Sequence, residues 1–232
     1  MPFNLQSRHI KKLFSLLTIL FALGACGSRG GMQGLLTSSD VLIIQHHLRQ
    51  HYRCLEEFCR RLYLKNPKYE SDVKKRRDKL AGIFKNRTLP DCDYDKLASH
   101  EVLTAVFSEG PDYYDRVALL GLGLRKSIDE GYGQAGPEEG SMVTSLQVSL
   151  ELLKRLYSNI SQVKWRLKVS RDDQQKLYFQ TNALAPEGHL NMGYEVLLTK
   201  VLTRIEDDIY MRGGNPPNLI FNMSTMFLTL LL

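Results

Sequence analysis

The sequence lacks most of the short motifs by which enzymes are identified. It contains four cysteines among 232 residues but no C-x-x-C pair, and it has no G-x-S-x-G nucleophile elbow. Its most apolar stretches are shorter than the roughly 20 residues that a membrane-spanning helix requires. These absences exclude a motif-based redox or serine-hydrolase site and argue against a permanent transmembrane anchor. They leave open an enzyme built from dispersed residues.

The N-terminus also lacks acidic residues, and it has the three parts of a secretory signal peptide. The first part is basic, with Arg8, Lys11 and Lys12. An apolar run of 11 residues follows, from Leu13 to Leu23. Two small residues, Gly24 and Ala25, then stand where signal peptidase cleaves. The pattern predicts a signal peptide over residues 1–25.

The end of this signal resembles the lipobox of bacterial lipoproteins, with the sequence Leu23-Gly24-Ala25-Cys26. The resemblance implies cleavage between Ala25 and Cys26, attachment of a diacylglycerol to the Cys26 thiol and acylation of the new amine. Two or more acyl chains hold a protein stably on a bilayer. Gly27, rather than aspartate, follows the cysteine, which in a Gram-negative cell implies the periplasmic face of the outer membrane. An ordinary secreted protein with a chance cysteine is the alternative.

Removal of the leader changes the charge balance. The net charge of +6 falls to +3, with 28 basic against 25 acidic residues, because the leader holds three basic residues and no acidic one. So small an excess does not predict nucleic-acid binding. The basic residues peak at Lys74–Lys79, which we interpret as a solvated helix face, with contact to anionic headgroups or polymer as the alternative.

The mature chain is predicted to be mainly α, a bundle-like single domain. Residues 26–36 form a lipidated cysteine and a flexible Gly-rich tether, and residues 37–232 form a helical periplasmic domain. Apolar residues recur at three- and four-residue spacing in five segments. These predicted helices cover about 39–64, 70–86, 94–108, 141–160 and 190–211.

Three further segments have a less regular pattern. The run VALLGLGL within 112–130 is apolar on all sides, which predicts a buried helix with close contacts at Gly121 and Gly123, or a buried strand. Alternation of apolar and polar residues predicts a β-hairpin over about 162–181, unless the preceding helix continues to Val169. The apolar C-terminal stretch, 218–232, is predicted to pack into a groove.

Few side chains suggest chemistry. His47, His51 and Cys54 share one helix face and are candidate zinc ligands, although ordinary helix surface is the preferred interpretation. The periplasm permits a disulfide, and Cys54–Cys92 is the preferred pair because Cys59 falls on the apolar stripe. No catalytic residue and no cofactor is predicted.

Together these patterns favour a membrane-anchored, non-enzymatic adaptor or assembly partner that binds an envelope protein or peptidoglycan. A periplasmic hydrolase is one alternative, and it requires a deep pocket lined by two or more of five residues. These are His47, His51, His100, Asp207 and Asp208. A carrier of an apolar ligand is the other, and it requires an enclosed apolar cavity.

Overall fold

The computed structural model describes residues 39–90, 92–109, 115–133, 148–181 and 193–230. The chain divides into two compact units, Met1–Leu42 and Ile43–Leu232. The predicted signal peptide, Cys26 and the tether all lie outside the described residues.

Six α-helices make up most of the described residues. They are α1 (Ser39–Lys65), α2 (Val73–Ala81), α3 (Ser99–Val106), α4 (Arg116–Gly131), α5 (Leu150–Val169) and α6 (Gly193–Met211). A π-helical turn, Gly82–Asn86, extends α2, and a 3-10 turn, Asp93–Lys96, precedes α3. The mainly α fold predicted from the sequence is confirmed.

Helix α4 carries the VALLGLGL run and is buried along almost its whole length. It packs against α3, α5, α2 and the π-helical turn. This central position explains why the run has no polar side, and it confirms the helix over the buried-strand alternative.

The two glycines of this run lie where neighbouring side chains come very close to the α4 backbone. A Cβ atom added to Gly121 would lie 3.1 Å from the sulfur of Cys59 on α1. One added to Gly123 would lie 2.8 Å from a methyl carbon of Leu103 on α3. The predicted close contact is confirmed, because a side chain at Gly123 would displace Leu103.

The predicted β-hairpin is wrong over its first half, where α5 continues to Val169. Val163 and Leu167 face the core, whereas Trp165 packs against Phe221 with ring centroids 6.2 Å apart. The apolar alternation therefore reflects a helix that is covered on two sides. A single antiparallel bridge, between Arg171 and Leu177, is what remains of the hairpin.

The C-terminal segment, residues 214–230, continues from α6 without helical structure and lies along α5. Its residues 225–229 run antiparallel to α5, since Thr225 contacts Arg166 and Thr229 contacts Arg155. The predicted packing is therefore seen for residues 225–230, where Phe227 and Leu230 are buried, whereas Ile220 and Met223 earlier in the stretch are exposed. None of the described helices has both the length and the apolarity needed to cross a membrane.

Candidate functional site

The two histidines predicted as candidate zinc ligands belong to a buried hydrogen-bond network. His51 of α1 is fully buried, and its Nε2 lies 3.1 Å from the hydroxyl of Tyr132, which follows α4. The Tyr132 hydroxyl donates to Oδ2 of Asp208 on α6. His47 Nδ1 donates to the other oxygen of Asp208 at 2.9 Å. The network therefore joins α1, the end of α4, and α6.

The donor pattern fixes the tautomer of His51. Tyr132 gives its one hydroxyl proton to Asp208, so Nε2 of His51 must donate to the Tyr132 oxygen. Nδ1 of His51 is then a buried acceptor, and it has no described partner. Burial, with smaller contributions from the charges of Arg204 and His47, lowers the pKa of His51 to about 3. Burial and the charge of Asp208 raise the pKa of Tyr132. Both rings are therefore neutral near pH 7.

These hydrogen bonds leave no assembled set of metal ligands at the predicted position. His47 is directed to Asp208 and His51 to Tyr132, while the sulfur of Cys54 lies 3.6 Å from a guanidinium nitrogen of Arg204. Within the described ranges, no group of three histidine, cysteine or acidic side chains is arranged to hold a metal ion.

The preferred Cys54–Cys92 disulfide is not formed in the structure. Cys54, Cys59 and Cys92 are all free thiols. Cys54 is buried in the main core, with its sulfur against Arg204 of α6, whereas Cys92 is partly buried and packs against both the main core and a smaller cluster around Ile83 and Ala118.

The residues required for a hydrolase are not brought together around four cavities that described residues line. Four cavities lined by described residues have volumes of about 140, 250, 450 and 600 Å³. The largest includes His100, and none of these four includes His47, His51, Asp207 or Asp208. Asp207 is exposed on α6, next to the buried Asp208. All four cavities are partly open to solvent, unlike the enclosed site that a carrier would need.

The basic cluster on α2 is divided between structural and exposed side chains. Lys79 forms ion pairs with Glu70 and with Asp115, the residue that caps α4. Lys74, Lys75 and Arg77 are exposed, as a solvated helix face requires. A cavity of about 250 Å³ separates this part of α2 from α1.

A different set of polar side chains, on α5, holds the C-terminal segment by its backbone. Asn159 is buried and makes two hydrogen bonds to Leu228, donating to its carbonyl oxygen at 2.7 Å and accepting from its N–H at 2.8 Å. Gln162 and Arg166 both donate to the carbonyl oxygen of Thr225, at 2.5 and 2.6 Å. Arg155 donates to the Thr229 carbonyl at 3.3 Å.

Two apolar side chains of the segment are buried beside these polar contacts. Phe227 is buried against Phe107, with ring centroids 6.2 Å apart, and the guanidinium of Arg166 lies 5.0 Å from the Phe227 centroid. Leu230 is also buried. We call the surface that holds residues 225–230 the α5 groove; it consists of Phe107, Arg155, Asn159, Gln162 and Arg166.

The α5 groove was missed in the sequence, although a signal for it is present. Arg155, Asn159, Gln162 and Arg166 are spaced by four, three and four residues, which places them on one helix face. A polar stripe on a helix is usually solvated, and only the structure shows this one under another part of the chain. No protein-family model, no curated protein and no solved structure matches this chain.

Proposed function

We propose that this chain is a lipoprotein, anchored through Cys26 to the periplasmic face of the outer membrane, that acts as a non-enzymatic adaptor for an envelope protein. The observation that carries the adaptor role is a row of exposed apolar side chains along the C-terminal segment. They are Ile220, Met223, Met226 and Leu228, which are 91, 59, 65 and 45% exposed. Large apolar side chains that are exposed together on one segment are typical of interaction sites.

The composition of this row favours a protein partner over peptidoglycan. Two of its four members are methionines, which are enriched at protein interfaces and adapt to irregular surfaces. A sugar polymer presents many hydroxyl groups, which an apolar row does not satisfy. The polar side chains beneath the row are already bonded to the backbone of the segment.

The anchor is tested by replacing the residue that carries the lipid. We expect the wild type, expressed in a Gram-negative host, to incorporate labelled palmitate and to sediment with outer membranes. Cys26→Ala is expected to abolish the label and to move most of the protein out of the membrane fraction, because the acyl chains provide the stable attachment. Cys92→Ala is the matched control and should behave as the wild type. A wild-type protein that is unacylated or retains its leader would contradict the anchor.

The adaptor role is tested by adding charge to the exposed row. We expect crosslinking in intact cells to recover a reproducible partner with the wild type, and recovery to fall at least about fivefold in the double variant Ile220→Asp/Met223→Asp, because charges are disfavoured in interface cores. Val196→Asp, at an exposed apolar position on α6, is the control and should retain recovery. Equal recovery with all three proteins would exclude this surface as the interface.

A further inference from the structure

We propose that the α5 groove is a binding site for extended segments of partner proteins that carry a phenylalanine followed, three residues later, by leucine. The chain's own residues 225–230 occupy the groove in competition with them. This inference rests on the proposed adaptor function and names the class of partner: the partner segment takes the place of residues 225–230 in the groove, while the exposed Ile220 and Met223 precede the displaced residues.

Recognition in the groove is directed mainly at the peptide backbone. All five described hydrogen bonds between α5 and residues 225–229 end on a backbone N–H or carbonyl group. Asn159 contributes two of them, and its carboxamide pairs with the N–H and the carbonyl of a single residue. Such contacts are available to any extended chain whatever its sequence, as when a strand is added to a sheet edge.

Selectivity comes from the two positions that point inward. Phe227 lies against Phe107 and beneath the guanidinium of Arg166, and Leu230 fills a second buried position. The intervening Leu228 and Thr229 are exposed, as is Met226 before them. The groove therefore specifies an aromatic residue and an aliphatic residue with two free positions between them.

The occupying segment has features of an exchangeable ligand. It follows Gly213, which has a positive φ of 71°, and then Gly214, Pro216 and Pro217, so no helix propagates from α6 into it. Among residues 214–230 only Phe227 and Leu230 are buried, so the segment's own burial is only partial. Segments with few buried contacts open at lower free energy than the core.

A partner segment can make contacts that the chain's own segment does not. The cavity of about 600 Å³ begins beside Met226 and extends along α3, where it is lined by Leu97, His100 and Thr104. A longer peptide in the groove can place apolar side chains in this cavity. The tail of a second copy repeats only the existing contacts, so it gains nothing over the attached tail, whose effective concentration is in the millimolar range.

The test measures binding of a fluorescent peptide with the sequence of residues 218–230 to the full mature chain in detergent, by anisotropy. In the variant Leu228→Pro, the chain loses the N–H that donates to Asn159, while its buried side chains stay intact. We expect this variant to bind the peptide at least about tenfold more tightly than the wild type, because its own tail competes less well.

Control variants distinguish binding in the α5 groove from a general destabilisation of the C-terminal segment. Ile220→Pro changes an exposed residue of the same segment whose N–H has no described partner, and it should bind as weakly as the wild type. Adding Asn159→Leu to the Leu228→Pro chain should abolish the gain. Peptides with Phe227→Ala or Leu228→Pro should bind at least about tenfold more weakly. The first loses the ring that packs against Phe107, and the second loses the N–H that donates to Asn159.

A second measurement needs no variant, in case Leu228→Pro unfolds the chain. In hydrogen exchange of the wild type, peptide at a concentration above the millimolar effective concentration of the attached tail should lower the protection of the chain's own Leu228 amide. Equal affinity of wild type and Leu228→Pro together with unchanged protection would overturn the proposal. A concentration-dependent dimer that Leu228→Pro dissociates would also overturn it, by showing that the second copy's tail is the occupant. None of these results depends on Cys26, so the anchor is tested separately.

Discussion

Replacing Asp208 with alanine is expected to lower the free energy of unfolding by about 1–3 kcal/mol, the range found when a buried hydrogen-bonding group is left without its partner. Asp208 is almost completely buried and accepts hydrogen bonds from both Tyr132 and His47. Without it, the Tyr132 hydroxyl loses its acceptor in a site that excludes water. Urea denaturation followed by circular dichroism measures the loss.

The adjacent carboxylate provides the control for this experiment. Asp207 precedes Asp208 on α6 but is exposed, and Asp207→Ala should change stability by no more than about 0.5 kcal/mol. Asp208→Asn keeps the shape and one acceptor oxygen, so its loss should lie between those of the two alanine variants. Similar losses for Asp207→Ala and Asp208→Ala would show that the network contributes little.

Acidification is expected to destabilise the domain through His51. In the unfolded chain this ring has a pKa near 6.5, whereas burial lowers it to about 3 in the folded chain. Between these values the unfolded chain binds a proton that the folded chain does not, so the free energy of unfolding falls as the pH is lowered. The slope approaches about 1.4 kcal/mol per pH unit, or about 2 kcal/mol between pH 6.5 and 4.5.

Other groups also titrate in this range, so the measurement is a difference between variants. His51→Gln retains a donor for the Tyr132 oxygen but has no group that titrates in this range. Between pH 6.5 and 4.5 its free energy of unfolding should therefore fall by about 2 kcal/mol less than that of the wild type. His46→Gln changes an exposed histidine of the same helix and should follow the wild type. Parallel pH profiles for wild type and His51→Gln would contradict the neutral, buried state of His51.

Helix existence could be predicted from this sequence because local patterns determine it. The spacing of apolar residues gave α1 over about 39–64, and the structure has Ser39–Lys65. The all-apolar run predicted that α4 is buried, and Gly121 and Gly123 predicted its close contacts with neighbouring helices. The hairpin was wrong because Trp165 is covered by Phe221, more than fifty residues away, and a sequence pattern cannot distinguish two covered helix faces from a strand.

The sites were harder to predict, because they join residues that are distant in the chain. His47 and His51 were identified as notable, but their partners Tyr132 and Asp208 lie 81 and 161 residues away. Asn159 is 69 residues from the backbone that it binds. Local sequence identifies polar residues on a helix face, whereas only the tertiary fold shows whether they meet water, a carboxylate or another segment.

The position of Phe107 sets a condition on how the α5 groove changes occupants. Its ring lies against Phe227, and the Arg166 guanidinium lies 5.8 Å from its centroid and 5.0 Å from that of Phe227. A vacant groove would expose the ring of Phe107 to water and leave Asn159 and Gln162 without their peptide partners. Vacancy is therefore the least favourable state of this surface. An incoming peptide should therefore displace the chain's own tail one contact at a time, so that the groove remains covered throughout the exchange.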